Sequence, residues 1–149
     1  MRRIILISVL CIGLTGCGGD DGGDTPFSPS PPTPPPQAEI SIASNVNPIV
    51  FVWNVLTLQY ETAYTITVSE TNGVGCNIST VESAFYLNGQ TYTPATLQGG
   101  RLNANSSLSF NFVGWVALSI YPQIRVLVSG SDDNGYTISK SQLFNLAYY

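Results

Sequence analysis

Apolar and polar residues alternate along several short segments of the chain. In "AYTITVSE", residues 63–70, Tyr64, Ile66 and Val68 alternate with threonine and serine. The segment "QIRVLVSG", residues 123–130, has the same two-residue period. A period of two is typical of a strand that buries one face and exposes the other. We therefore predict a β-strand in each segment.

Further runs rich in β-branched and aromatic residues surround these two segments. They are "AEISIA", "PIVFVWNVLTL", "STVESAFYL", "SLSFNF" and "YTISKSQLFNL", and the breaks between runs are "TNGVG", "NGQ", "QGG" and "DDNG". Such runs favour strands, whereas glycine, asparagine and aspartate favour turns. No window of the chain has the pattern of an amphipathic helix. About seven short strands in residues 38–149 predict an all-β domain built as an antiparallel β-sandwich.

The beginning of the chain has the pattern of an export signal. Arg2 and Arg3 precede the apolar run "IILISVLCIGL", which is too short for a transmembrane helix of about 20 apolar residues. The run ends in Leu14-Thr15-Gly16-Cys17, which resembles the lipobox of bacterial lipoproteins. The resemblance implies that residues 1–16 are a signal peptide that is removed, and that Cys17 then carries diacylglycerol and an acyl chain such as palmitate. The alternative is an ordinary secretory signal followed by a chance cysteine.

Residues 17–37 have a composition that cannot form a packed core. "GGDDGGD" is flexible and acidic, and "PFSPSPPTPPP" favours the extended polyproline II conformation. We expect a disordered tether between the lipid and the domain at residues 38–149. Gly18 stands where an aspartate retains some lipoproteins at the inner membrane, so the resemblance favours the outer membrane.

The number and spacing of the predicted strands resemble immunoglobulin-like or fibronectin type III-like domains of bacterial surface proteins. The chain lacks the cysteine pair of antibody domains, because Cys76 has no partner and Trp53 and Trp115 do not lie between paired cysteines. We expect Cys76 to be a small buried apolar residue, and the alternative is a reactive thiol. The resemblance implies a module for adhesion, assembly or ligand display.

Charge and composition exclude several classes of function. The chain has a net charge of −4 and no histidine. An acidic chain is a poor partner for nucleic acid, and without histidine it cannot form a Ser-His-Asp triad. A carboxylate pair drawn from Glu61, Glu70 and Glu82 would be the remaining route to catalysis, as in glycoside hydrolysis. We predict that the protein is not an enzyme.

Two acidic turns follow predicted strands and could form a metal site. If the strand order is immunoglobulin-like, with residues 63–70 as the second strand and residues 123–130 as the sixth, "ETNG" and "DDNG" lie at the same end of the domain. The oxygen-bearing side chains there are Glu70, Asn72, Asp132, Asp133 and Asn134, which are of the type that calcium binds. The simpler interpretation, which we favour, is that these residues form tight turns without any metal.

The segment "FVGWVALSIYPQ" lies between two predicted strands and contains Trp115 and Tyr121. If both side chains are exposed at one end of the sandwich, they form an apolar patch that could bind an envelope protein or a glycan. The alternative, which we favour, is that Trp115 fills the bottom of the core.

These patterns together predict a lipid-anchored cell-envelope protein that displays an interaction or adhesion module. A structural or accessory subunit of an envelope assembly is the second interpretation. A glycan-binding or enzymatic domain is the third.

Overall fold

Nine strands and no helix form within residues 30–149, the part of the chain that the computed structural model describes. The strands are β1 (Ile40–Ser44), β2 (Ile49–Asn54), β3 (Gln59–Glu70), β4 (Cys76–Leu87), β5 (Gln90–Gln98), β6 (Arg101–Leu102), β7 (Ser107–Val116), β8 (Gln123–Asp132) and β9 (Thr137–Tyr148). The prediction of an all-β domain at residues 38–149 is confirmed. The predicted signal peptide, Cys17 and the tether as far as residue 29 lie outside the described residues.

The two segments with the clearest alternation are strands, and their apolar residues are buried. In β3 the buried side chains are Tyr64, Ile66 and Val68, and in β8 they are Ile124, Val126 and Val128. These strands are the third and the eighth of the described chain, whereas the sequence predicted the second and the sixth. The period-two pattern therefore predicted where these two strands lie but not their places in the order of strands.

The strands fall into two groups that β2 connects. In the first group, β3 pairs antiparallel with β1 and with β7. In the second group, β4 pairs antiparallel with β5, β6 and β8, and β8 pairs with β9. Strand β2 pairs antiparallel with β3 through Val52–Asn54 and parallel with β9 through Ile49–Phe51. The expectation of a purely antiparallel sheet is therefore wrong, because β2 crosses between the groups in the same direction as β9.

Three further differences from the prediction have local causes. Strand β5 contains Pro94, which interrupts a strand pattern and conceals it in the sequence. The apolar run that begins at Pro48 ends as a strand at Asn54, and residues 55–58 turn back into β3. Strand β7 continues past the predicted "SLSFNF" to Val116, so Trp115 lies within a strand.

Side chains of the two groups meet in one buried core. The hydroxyls of Tyr64 in β3 and Ser83 in β4 lie 2.6 Å apart, although these two strands do not pair. The ring of Phe51 lies between the groups. Its centroid is 5.7 Å from that of Phe85 and 5.5 Å from that of Tyr148, both in the second group, and its other side faces Gly114 of β7 in the first group. Cys76 is buried and free, which confirms the expectation for this residue, and burial raises the pKa of its thiol. Residues 30–149 contain no helix that could cross a bilayer.

We predict that Phe51→Ala destabilises the domain by about 3–5 kcal/mol, because it opens a cavity where β2 joins the two groups of strands. Phe51 has no exposed surface. Urea denaturation monitored by circular dichroism measures the change. The control is Val55→Ala, since Val55 is largely exposed and its truncation should cost less than about 0.5 kcal/mol. Equal losses in the two variants would contradict this role of Phe51.

Candidate interaction surface

The two acidic turns lie at the same end of the domain, as the sequence predicted, and both bind the segment that leads into β1. The Asp132 carboxylate accepts a hydrogen bond of 3.0 Å from the Ala38 N–H. The Glu70 carboxylate accepts one of 3.4 Å from the Glu39 N–H. We call this set of contacts around residues 36–39 the tether clamp, because it holds the first residues of the folded unit Pro34–Tyr149.

Asn72 and Asn134 complete the tether clamp from either side. The Asn72 side-chain amide donates to the Gln37 carbonyl at 2.7 Å, and that of Asn134 donates to the Pro36 carbonyl at 2.7 Å. The Thr71 N–H donates to the Glu39 carbonyl at 3.0 Å. Backbone groups that would otherwise need water are thereby satisfied within the protein.

Glu70 is the most enclosed acidic group of the tether clamp, with 2% of its surface exposed. Besides the Glu39 N–H, its carboxylate accepts hydrogen bonds from the N–H groups of Asn72, Gly73 and Asn105 at 2.7–3.0 Å. Burial by itself raises the pKa of Glu70, but the backbone donors, led by Asn105 and Asn72, outweigh burial and lower it below the ordinary value. The ionised carboxylate is therefore the form that the fold requires.

The five residues considered for calcium all have partners within the protein. Asp132 also accepts hydrogen bonds from the N–H groups of Asn134 and Tyr136 at 3.0 and 2.8 Å. Asp133 forms a two-point ion pair with Arg101, which lowers the pKa of that carboxyl group. Within residues 30–149, no three acidic, histidine or cysteine residues form a group suited to a metal ion. The contacts support the role in turns that the sequence favoured, and calcium binding stays a prediction.

Exposed apolar side chains collect at the other end of the strands. We call this set the apolar end, and it comprises Val52, Val55, Leu56, Leu58, Val113, Trp115, Leu118 and Ile120, each more than half exposed. Glu70 and Glu61 are nine residues apart along β3, which corresponds to about 30 Å at the rise of a strand. The apolar end is therefore remote from the tether clamp.

One row of side chains crosses three strands at the apolar end. Val52 lies opposite Glu61, and Glu61 lies opposite Trp115, so all three project from the same face. Hydrogen bonds from Thr57 and Asn54 to the Glu61 carboxylate, at 2.7 and 3.0 Å, lower its pKa. Trp115 thus lies on the exposed face beside one ionised carboxylate, and the expectation that Trp115 fills the core is wrong.

A cleft opens beside Trp115, between β5 and β7. Its volume is about 260 Å³, and its lining is Tyr64, Ser83, Ala84, Phe85, Thr93, Pro94, Ala95, Phe112, Val113, Gly114, Trp115 and Ile124, with no charged residue. The ring of Tyr64 stacks on Phe112 at a centroid distance of 5.7 Å. Burial raises the pKa of Tyr64, and its hydrogen bond to Ser83 offsets this only in part. The lining is thus neutral and mainly apolar.

Tyr121 does not join Trp115 in an exposed patch. Its ring stacks on Phe85 at 4.8 Å and lies 5.5 Å from the ring of Tyr92. Its carbonyl accepts a hydrogen bond of 2.9 Å from the Tyr148 hydroxyl. Tyr121 therefore packs against the core, and of the two predicted interaction residues only Trp115 lies on the apolar end.

Comparison with known proteins supports the fold and no more. No family model matches the chain, and no curated protein is similar to it. It is similar to a structure described as an ApaA protein from Bordetella pertussis, with a TM-score of 0.52, 13% identity, and coverage of 74% of this chain and 95% of that chain. It is also similar to the structural-genomics target SoR45, with a TM-score of 0.51, 12% identity, and coverage of 74% and 86%. Identities this low show a shared fold and carry no information about function.

A weaker similarity links the chain to Spo0M, a sporulation control protein from Bacillus subtilis. The TM-score is 0.40 and the identity is 12%, over 76% of this chain and 51% of that chain. A match at this level carries no argument for either fold or function.

Sequence reasoning missed most of the apolar end. Residues 55–58, "VLTL", were predicted to continue a strand, yet Leu56 is 90% exposed in a turn. The missed signal was Asn54, because asparagine favours turns. Its side-chain carbonyl accepts a hydrogen bond of 2.9 Å from the Leu56 N–H, and the apolar residues of the turn that follows are exposed.

We predict that Glu70→Gln lowers the free energy of unfolding at pH 7 by about 2 kcal/mol, because an amide satisfies the four N–H donors less well than a carboxylate. The pKa of Glu70 is below its ordinary value of 4.5. Its stabilisation is therefore complete above that pH and is lost as the pH falls through the lower pKa of the folded state. Thermal melts from pH 7 down to about pH 3 should show a flatter acid limb in the variant than in the unmodified chain.

Glu82→Gln is the matched control for Glu70→Gln. Glu82 is partly exposed, and its contact with Arg125 is 4.0 Å long, so its loss should change stability little. The role of Glu70 would be contradicted if both variants gave the same melting temperatures across this pH range.

Proposed function

We propose that the protein is a lipid-anchored protein of the bacterial envelope and that the apolar end of its β domain binds a partner. The segment Leu14-Thr15-Gly16-Cys17, after a short apolar run, supports the lipid anchor. The proline-rich tether supports a domain held at some distance from the membrane. The outer membrane is the proposed location.

An immunoglobulin-like sandwich is the fold that we propose for the domain in detail. Its support is the division into a β1-β3-β7 group and a β5-β4-β8-β9 group whose side chains meet in one core. The crossing of β2 from the first group to the second closes one side of such a sandwich. Sandwiches of this kind display loops and edges to partners from a rigid scaffold.

The observation that carries the proposal is the position of Trp115. Its side chain is 63% exposed, and Val113 on the same face is 76% exposed. Exposed tryptophan beside other apolar groups is typical of binding surfaces, because the burial of such side chains against a partner lowers the free energy. The apolar end also lies at the end of the strands away from the tether clamp, where a partner can approach without meeting the tether.

Catalysis has less support than binding. The cleft lining contains no carboxylate, and the three candidate carboxylates have other partners. Glu61 accepts hydrogen bonds from Thr57 and Asn54, Glu70 accepts four from the backbone, and Glu82 lies near Arg125. A structural or accessory subunit is the second candidate function, because β7 offers a long strand edge for assembly.

We predict that Cys17→Ser blocks both lipid attachment and removal of residues 1–16, because the cysteine thiol is the proposed attachment point. Intact-mass measurement of the membrane fraction should find the unmodified chain starting at residue 17 with added lipid. The variant should retain its first 16 residues. A mature unmodified chain that starts at any other residue would disprove the anchor.

We predict that a photo-crosslinking amino acid at position 115, in intact cells of the source organism, captures one partner of defined mass. The exposed apolar end should be covered in the cell, because uncovered apolar surface of this kind costs free energy in water. The same amino acid at the exposed Ser141, on β9 in the other group of strands, is the control. Identical crosslinking patterns at the two positions, or none at position 115, would refute the binding function.

A further inference from the structure

Strand β7 pairs with another strand along one edge, and its other edge is free. It pairs with β3 over its whole length, from Ser107 opposite Ser69 to Val116 opposite Tyr60. It pairs with no other strand within residues 30–149. The backbone N–H and C=O groups on its second side, over ten residues, are therefore available to another strand.

The free edge of β7 lacks the features that usually prevent strands from associating. Its sequence, "SLSFNFVGWV", contains no charged residue and no proline. Three other strand edges in the described part of the chain are protected. β5 contains Pro94 and a left-handed Thr93 at φ 46°, the unpaired stretch of β9 contains Lys140, and β1 has five residues. An unprotected edge of this length is a liability unless it has a partner.

The cleft lies along this same edge, and its lining determines which side chains can bind there. Val113, Gly114 and Trp115 of β7 form one wall, and Thr93, Pro94 and Ala95 of β5 form the other. Its volume of about 260 Å³ is below the range of roughly 300–1,000 Å³ that is typical of small-molecule sites. The cleft suits single side chains of a peptide, and its uncharged lining requires that they be apolar.

We propose that the free edge of β7 binds an extended segment of another envelope protein, which adds to the sheet as a strand and places alternate apolar side chains in the cleft. This inference rests on the proposed function and names the class of partner. Backbone hydrogen bonds along β7 supply affinity, and the cleft and Trp115 select the side chains. A glycan or a small ligand could not satisfy a row of strand N–H and C=O groups in this way.

A second copy of the chain fits the same edge less well. Two β7 strands paired antiparallel would direct their Ser107 ends, and with them the two tether clamps, in opposite directions. Two copies tethered to one membrane leave from the same side. The inward-facing apolar side chains of β7, Phe110 and Phe112, are buried in its own core, so they cannot enter the cleft of a partner copy.

The test is selection of random peptides of about 12 residues, displayed on phage, against the full chain purified in mild detergent. The enriched peptides should carry apolar residues at every second position over about six residues, without proline or charge at those positions. Two synthetic copies of the strongest peptide should then be compared, each methylated at the backbone nitrogens of one edge. Methylation of the edge that faces β7 should abolish binding, and methylation of the other edge should leave binding unchanged.

Two variants test the site from its β7 wall and from its β5 wall. Val113→Lys places a charge on the free strand, and Ala95→Phe fills the cleft, and each should weaken peptide binding by about tenfold or more. Their matched controls are Ser141→Lys on β9 and Thr96→Phe on the opposite face of β5, which should bind as the unmodified chain does. Circular dichroism establishes that all four variants fold.

Each outcome decides the inference. Enriched peptides without alternation, or peptides that bind equally to Val113→Lys and Ala95→Phe, would overturn strand addition. A dimer in sedimentation that Val113→Lys dissociates would also overturn it, in favour of a second copy as partner. If crosslinking at position 115 succeeds in cells but the peptide selection fails, the proposed binding function is retained and only strand addition is rejected.

Discussion

The crossing of β2 between the two groups of strands is the constraint on which the rest of the domain depends. Its first half pairs with β9 and its second half pairs with β3, so a single strand of six residues belongs to both groups. The buried ring of Phe51 lies at that crossing. Because the groups elsewhere meet through side chains, β2 is the strand that joins them by backbone pairing, and the cleft lies on the opposite side, between β5 and β7.

The sequence predicted the strands that bury one face and expose the other. It did not predict the strands that lack this division. In β3 and β8, one face is buried and the other is polar, and the period-two pattern was plain. In β5 the pattern is lost, because most of its side chains are exposed and Pro94 interrupts it. Parallel pairing of β2 with β9 was beyond a reading of local patterns, since it joins residues nearly one hundred positions apart.

The candidate site divides in the same way. The meeting of the "ETNG" and "DDNG" turns followed from strand order, and the structure confirms it. The use of Glu70 and Asp132 to hold Ala38 and Glu39 depends on where the tether joins the domain, which no turn motif reveals. Trp115 was placed in the core because one large side chain fills the bottom of the core in many sandwiches. That rule fails here, since β7 continues past Phe112 and the alternation places Trp115 on the outer face.

The antiparallel pairing of β1 with β3 gives the domain a definite response to mechanical load. In the proposed arrangement, a pull on the tether would enter next to Ile40, and a partner bound at the apolar end would resist it along the axis of the strands. The five residue pairs between β1 and β3 are then loaded in shear, so they must break together and cannot be peeled apart one by one. Resistance to forced unfolding depends on the height of that barrier, which is separate from equilibrium stability. In the proposed arrangement, the tether and the partner would therefore pull on the domain in the direction in which the β1–β3 pairing resists most strongly.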